Sequence, residues 1–434
     1  MIVVGERRLD SFEEFSEPVS SGDPKSATPC RIAYLSGPID AGAVYDDWRR
    51  RQDSKYYGTI YLIQLYEIIE RLRAEALVIT TLPTERSTVR KDGVTVTNIP
   101  MPKDKVGLGY HASMVWWAIH CMVAILKFRA DAALLTAGQD YFWVFRLLKL
   151  RGVRLLASLH CTLWPKFAPR RWHHRLLTKL NGHLFYPACD HIQGVSQEAI
   201  EQIKFTAINL RKEPVRFLAT YDPARFSKVH PPTWPCEGHK FRLLYVGRLT
   251  ANKGVIDLVH IMEMLERRRS RRFTLDICGT GPAYSELLGE IEMRGLNELV
   301  TVHGQCNTSQ LSELYSHCHA VVVPTRSDFE EGTPKVAFEA VLNFRPVILS
   351  AACPALFDVA DAALEPKVDD VNDYAGVIEN LACDPVLYRA KVKEAANCRL
   401  KHFDENNSYG SKLFGPLSAI ARGKPWRDSS MKVG

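Results

Sequence analysis

Short apolar runs recur along the chain, separated by longer stretches in which apolar residues return every three or four positions. The first half carries RIAYLSG (31–37), ALVITT (76–81), VTVTNIP (94–100), AALLTA (132–137), RLLASL (154–159), HIQGVS (191–196) and VRFLATY (215–221). Between two of them Ile60, Tyr61, Ile63, Leu65, Ile68, Ile69 and Leu72 keep helical spacing. A near-continuous apolar run suits a strand buried on both faces, so the alternation predicts a largely parallel sheet covered by helices on both sides. The stretch His230 to Gly238 breaks the pattern. Its three prolines within residues 231–235 sustain neither a helix nor a central strand, which makes it a linker. The alternation restarts with FRLLYVG (241–247), FTLDIC (273–278), LVTVHG (299–304), HAVVVP (319–324) and RPVILS (345–350). The fold class is therefore α/β with two doubly wound Rossmann-like domains, and ligands are expected outside the carboxyl ends of the strands, in the cleft between the domains. The expected boundaries are a loosely ordered extension (1–30), a first domain (31–228), a second domain (229–400) and a C-terminal helix and tail (401–434) that crosses back to the first.

Composition adds exclusions. With 434 residues, 46% hydrophobic and 24% charged, the chain is neither disordered, collagen-like nor low in complexity, and it is too long for a single core. Its eleven cysteines are scattered with no CxxC pair, which argues against a disulfide framework or a zinc ribbon and fits a reducing compartment. Met1-Ile2-Val3-Val4 runs straight into Gly5-Glu6-Arg7-Arg8, so no signal-peptide core is expected. The most apolar stretch, Met114 to Leu126, is too short to span a bilayer, contains His120, and predicts a buried helix. A soluble cytoplasmic protein is the expectation.

Two segments carry the candidate chemistry. Glu331-Gly332-Thr333-Pro334-Lys335-Val336-Ala337-Phe338-Glu339 leaves the strand HAVVVP; Thr333 suits a helix cap and Pro334 its first position. Glu339 then lies about 7.5 Å along the helix from Pro334, so the two carboxylates can hold different hydroxyl-bearing rings of one ligand, with helix-start amides suited to an anion. The plainer reading is a capped surface helix with two solvated glutamates. Gly247-Arg248-Leu249-Thr250-Ala251-Asn252-Lys253-Gly254 follows a second strand and brings two cations to the ligand end of the sheet, a pattern that stabilises a departing diphosphate. Gly279-Thr280-Gly281-Pro282 is a glycine turn after a third strand. His317-Cys318-His319 faces different ways at a helix–strand junction and predicts no metal site.

In this order, VGRLTANKG, ICGTGP, VTVHG, LYSHCHAVVVPT and EGTPKVAFEA…PVI resemble the retaining glycosyltransferases of family 4, of GT-B fold, from Phe241 to about Leu381. In the first domain the resemblance rests on Ser36 to Gly42, His160, GVSQ (194–197), Tyr221-Asp222-Pro223 and Phe226. It implies that Arg248 and Lys253 grip a donor diphosphate, Glu331 the transferred sugar and Glu339 the nucleotide ribose. The segment Gly332, Thr333, Pro334 and Lys335 is assigned through its main-chain amides, of which Pro334 supplies no donor, to the sugar and phosphate oxygens, and Gly247, Gly279 and Gly281 to the donor pocket. His160 would stand on the opposite wall of the cleft, and Gly37, Ala41 and Gly42 would close over the diphosphate. The eight-residue spacing selects Glu331 over its neighbour Glu330. Phe344 stands where the family has glycine, which suggests a shifted helix end using Asn343, and the 37–42 loop lacks the family's paired glycines. The implied reaction is transfer of a sugar from a nucleotide-diphosphate sugar to a glycan or lipid-linked acceptor, with retention and without a metal or other cofactor, as in polysaccharide biosynthesis. Two alternatives stay open: another enzyme of this fold, such as a nucleotide-sugar epimerase, and a non-catalytic module that binds a polyanion.

The formal charge of +7 conceals an asymmetry. Residues 141–189 hold nine Lys and Arg and no Asp or Glu, leaving the other 385 residues at −2. Trp172, Leu176, Leu177 and Leu180 share one helical face, and Arg171, Arg175 and Lys179 another, with Trp164 and Arg170 upstream. Such a helix suits the surface of an anionic membrane, which would make the protein peripheral at the inner face. The competing reading is an apolar face that is simply core. No nucleic-acid partner is expected.

Overall fold

The computed structural model describes residues 29–52, 59–103, 105–235, 239–268 and 272–424. Most of the expected N-terminal extension, residues 236–238 of the proline-rich stretch and the tail beyond 424 lie outside the described residues. Among the described residues, contacts divide the chain into an N-terminal unit (29–163, 171–218 and 405–424) and a C-terminal unit (164–170 and 219–404). The chain thus changes unit at 218/219, ahead of the proline run, because Ala219, Tyr221 and Phe226 pack into the C-terminal core.

The N-terminal unit is built on strands β1 (Arg31–Leu35), β2 (Glu75–Thr80), β3 (Ser87–Lys91), β4 (Val94–Asn98), β5 (Ala132–Leu135), β6 (Arg154–Leu159), β7 (His191–Gly194) and β8 (Val215–Arg216). Their order is β3-β4-β2-β1-β5-β6-β7-β8, parallel throughout except for β3 against β4. β3 is a polar, exposed edge strand with no apolar alternation, so nothing in the sequence announced it. Helices α1 (Ala41–Arg49), α2 (Ile60–Leu72), α3 (Gly107–Phe128), α4 (Trp172–Leu180) and α5 (Gln197–Thr206) complete its early part. Val44, Leu65 and Ile68 from the first two helices pack on Ile32, Ala76 and Val78 of the sheet.

The apolar stretch expected to be a buried 13-residue helix is instead part of the 22-residue α3, and only 33% of its most apolar 18-residue window is buried. One stripe, Met114, Trp117, Ala118, Cys121 and Ile125, meets the core at i, i+3, i+4, i+7 and i+11. The remaining faces are apolar without being covered: Leu108 and Trp116 are strongly exposed. Among the described residues it is the one helix long and apolar enough to cross a membrane by length and composition.

The C-terminal unit contains β9 (Phe241–Val246), α6 (Val255–Arg268), β10 (Phe273–Cys278), α7 (Tyr284–Met293), β11 (Val300–Gly304), α8 (Thr308–His317), β12 (Ala320–Val323), α9 (Lys335–Leu342), β13 (Val347–Leu349), α10 (Leu356–Val359), β14 (Ala363–Leu364), α11 (Val371–Cys383) and α12 (Pro385–Cys398). All six strands are parallel, in the order β11-β10-β9-β12-β13-β14. Successive residues of β9 feed two cores: Leu243 and Tyr245 face α6, α7, α11 and α12, while Leu244 and Val246 face α8 and α9. Strand order reverses between β9 and β12, which is where a doubly wound sheet opens a crevice at its carboxyl ends. The last helix, α13 (Tyr409–Ala421), belongs to the N-terminal unit, where the Gly410 amide donates to Gln64 Oε1 at 2.9 Å on α2.

Candidate functional site

Three loops leave the carboxyl ends of β9, β10 and β12, and main-chain contacts lock them together. The Gly247 amide donates to Cys278 O at 3.0 Å, Leu249 N to Thr280 O at 3.0 Å, and Arg326 N to Asn252 O at 3.1 Å. Gly279, at φ +143°, leaves no room for a side chain: a Cβ there would stand 1.8 Å from Gly247 O. Gly254, at φ +68°, lies so close to the β12 loop that a Cβ would be 2.0 Å from Pro324 O. These two glycines therefore let one loop lie on another.

On this platform the two expected cations converge. Lys253 Nζ and the Arg248 guanidinium stand over the ring of Phe329, 4.5 and 6.0 Å from its centroid. Lys253 also forms an ion pair with Glu331 Oε2, and Thr325 Oγ1 donates to the same oxygen at 3.2 Å. Glu331 is buried and Glu330 exposed. The loop bearing Phe329 is pinned by Arg326, which bonds both oxygens of Asp257 at 3.0 Å, and by Ser327 N donating to Asp369 Oδ1 at 3.0 Å. Burial beside the Glu331 carboxylate holds the Tyr245 phenol above its ordinary range, with Arg248 opposing. Its hydroxyl donates to Arg248 O at 2.8 Å and so orders the cation loop.

Glu339 lies inside α9 at 1% exposure, so the reading of two solvated glutamates fails for both carboxylates. Tyr315 on α8 donates its hydroxyl to Glu339 Oε2 at 3.0 Å. The helix starts one residue later than expected: Pro334 is the N-cap, Thr333 lies outside, and no side chain caps the first turn. Proline holds φ at −67° while its ψ stays extended at 111°, which delays the helical turn to Lys335. Gly332 lies in the loop between Glu331 and this turn, and Gly281 follows β10. At the far end, Asn343 is the C-cap as a regular residue, but the left-handed position stays at Phe344 (φ +62°). The expected use of Asn343 at the helix end therefore occurs, its Nδ2 donating to Glu339 O at 2.7 Å, while Phe344 keeps the left-handed position and the Arg399 guanidinium packs 4.1 Å from its ring centroid.

The first-domain candidates belong to the N-terminal unit. His160, after β6, packs its ring on Tyr61, Phe217 and Tyr409 at 4.7–5.5 Å between centroids, with Nε2 3.3 Å from Ser158 Oγ. Gly37 follows β1, and Ala41 and Gly42 open α1. Asp40 caps that helix by accepting from Ala43 N at 3.0 Å, so a carboxylate already faces the amides expected to close over a diphosphate. Ala41 is fully buried.

In α4 only Thr178 is buried; on its apolar face Trp172 is 73% and Leu176 50% exposed, while Leu177 and Leu180 are half-buried. Arg171, Arg175 and Lys179 are exposed beside them. Trp164 and Arg170 fall in the C-terminal unit, with the guanidinium 3.9 Å from the Trp164 ring, so the six expected contact residues do not share one unit. The ten described cysteines form no disulfide with one another, and no cluster of metal-ligating side chains occurs among the described residues. Sequence reasoning missed Tyr315, Thr325 and Phe329. Tyr315 has the helical spacing of a core residue, and Phe329 lies in a loop without periodicity.

Comparison with known proteins bears on this platform. Residues 230–397 match the family described as glycosyl transferases group 1. The chain is 30% identical over 157 residues to alpha-D-kanosaminyltransferase of Streptomyces kanamyceticus, covering 36% of this chain and 39% of that protein. It is 30% identical over 175 residues to D-inositol 3-phosphate glycosyltransferase of Arthrobacter sp. (strain FB24), covering 38% and 39%. The matches thus span about two fifths of these curated relatives. Sucrose-phosphate synthase from Thermosynechococcus elongatus superposes with a TM-score of 0.64 at 17% identity, over 91% of this chain and 100% of that one. HepE of Anabaena, solved in complex with UDP and glucose, gives 0.60 at 15% identity over 90% and 100%. The fold is GT-B, and the segment carrying the cations and both glutamates lies within the match to glycosyl transferases group 1.

Proposed function

We propose that the protein is a retaining glycosyltransferase that moves a sugar from a nucleotide-diphosphate sugar to a hydroxyl of a glycan or lipid-linked glycan. The observation that carries this reading is the convergence of Arg248 and Lys253 over Phe329, with the buried Glu331 on the same platform at the sheet's switch point. Cleaving an anomeric bond builds positive charge on the sugar and negative charge on the departing diphosphate. Fixed cations aimed at the phosphate stabilise that separation without a metal, and a carboxylate orders the sugar hydroxyls. Before donor binds, Lys253 and Glu331 neutralise each other. The diphosphate then draws Lys253 away and leaves Glu331 to the sugar. The acceptor attacks from the face the diphosphate leaves, which retains configuration. The names of the two curated relatives, and the UDP and glucose bound to HepE, support a nucleotide-sugar donor.

The acceptor is met at the inner, cytoplasmic face of an anionic membrane. Support comes from the exposed Trp172 and Leu176 beside Arg171, Arg175 and Lys179. Thermal-shift measurements against a panel of nucleotide-diphosphate sugars test donor binding, because a ligand of the native state raises the melting temperature. One donor is expected to stand out. A flat panel rejects the reading. The anomeric configuration of the product, read by proton NMR, tests retention, and an inverted product rejects that part.

A further inference from the structure

Arg345 is the largest fully buried side chain among the described residues, at 2% exposure. It makes four hydrogen bonds, each to a main-chain carbonyl. Nε donates to Tyr315 O at 2.8 Å and Nη2 to Ser316 O at 2.8 Å, in the last turn of α8. Nη1 donates to Asn343 O at 2.5 Å, at the end of α9, and to His230 O at 3.2 Å. A cation here satisfies carbonyls that a helix end leaves without partners, at the negative pole of α8. The same group thereby ties the end of α8 to the end of α9. Asn343 strengthens the α9 side, its Nδ2 donating to Glu339 O at 2.7 Å. A side-chain bond runs between the two tied helices, from Tyr315 Oη to Glu339 Oε2 at 3.0 Å, with both residues at 1% exposure or less. A buried carboxylate on a single helix has several rotamers; a fixed phenol donor on the neighbouring helix selects one.

We infer that Tyr315 is a positioning residue that sets the Glu339 carboxylate for recognition of ribose hydroxyls, and that Arg345 fixes the helix pair across which it acts. This rests on the proposed sugar-transfer reading and on the contact of Glu339 with the nucleotide ribose that the family resemblance implies. A tyrosine that merely fills the core would affect stability alone, whereas this arrangement makes Tyr315 a determinant of preference for ribose over dideoxyribose, because a buried carboxylate left without its hydroxyl partners is disfavoured.

The test compares binding of UDP, GDP and ADP with that of their 2′,3′-dideoxy analogues by isothermal titration, and takes the ratio for whichever nucleotide binds. Inorganic pyrophosphate serves as the probe that bears no ribose. Four proteins are compared: wild type, Glu339→Ala, Tyr315→Phe and Arg345→Lys. The expected result is a wild-type preference for the ribonucleotide that Glu339→Ala abolishes and Tyr315→Phe reduces by about tenfold, with pyrophosphate affinity unchanged. Arg345→Lys moves the ratio the same way by a smaller factor, and decides the matter if Tyr315→Phe does not fold. A wild type without ribose preference, or a Glu339→Ala protein that keeps it, overturns the ribose reading itself. A ratio lost in Glu339→Ala but intact in Tyr315→Phe, or in Arg345→Lys where that variant decides, overturns the inference and leaves the ribose reading standing.

Discussion

Lys253 and Glu331 are ion-paired although the cation and the carboxylate are assigned to different parts of one donor molecule, and both side chains are largely buried. Removing one partner leaves the other charged and desolvated. Lys253→Ala is therefore expected to lower stability by about 3 kcal/mol and turnover by about a hundredfold or more. Lys253→Ala combined with Glu331→Gln regains most of the stability and none of the turnover. Denaturant melts and steady-state rates on the three proteins check this, and a double variant as unstable as the single one contradicts it.

Phe329 presents its ring to Arg248 and Lys253 without neutralising either, unlike a carboxylate. Phe329→Leu keeps the volume and removes the cation–π attraction, worth about 0.5–1 kcal/mol. The Michaelis constant for donor is expected to rise about two- to fivefold with the melting temperature almost unchanged. An unchanged Michaelis constant shows that the ring does not hold the cations.

The glycine contacts give a sharper stability prediction. Gly279→Ala forces a Cβ to within 1.8 Å of Gly247 O in a backbone conformation that side chains avoid. A loss of about 3 kcal/mol or more is expected. Gly289→Ala, whose Cβ meets nothing within 4 Å, is the control and should match wild type or exceed it slightly. Equal midpoints for the two variants in urea contradict the loop-on-loop packing.

Most strands were legible because each is an apolar run flanked by turn residues, as FRLLYV and AVVV show. β3 was not, since STVRK is polar on both faces and paired only along one edge. The length of α3 was hidden because its apolar residues exceed what its core stripe needs, so hydrophobicity could not report burial. Glu331 and Glu339 were legible through spacing and charge. Their partners Thr325 and Tyr315, and Phe329 beneath the cations, were not, because an uncharged loop residue and a helical tyrosine look the same whether they fill space or serve a charged group.

Burial also sets a pH limit. It pushes the Cys318 thiol up to about 12 and, aided by Asp131, the Cys30 thiol up to about 11. It likewise raises the phenols of Tyr245, Tyr315 and Tyr374. A raised folded-state pKa favours the neutral form, so these groups contribute stability that is full below the unfolded-state values of about 8.5 for Cys and about 10 for Tyr. That stability is lost as pH rises through the folded-state values. The melting temperature should fall steadily above about pH 9. A flat profile to pH 11 contradicts this.

Membrane contact through α4 predicts sedimentation with vesicles containing phosphatidylserine at low salt and release at high salt, since surface charge attraction is screened. Replacing Arg171, Arg175 and Lys179 together by Glu abolishes binding, and Trp172→Ala weakens it. No sedimentation at low salt removes the membrane from the picture.

Acceptor-dependent release of nucleoside diphosphate bears most directly on sugar transfer as the protein's activity. The expected result, with the donor that stabilises the protein most, is release that rises when a hydroxyl acceptor is supplied and is lost in Lys253→Ala and Glu331→Gln. Release that ignores the acceptor, or near-normal transfer by both variants, contradicts it.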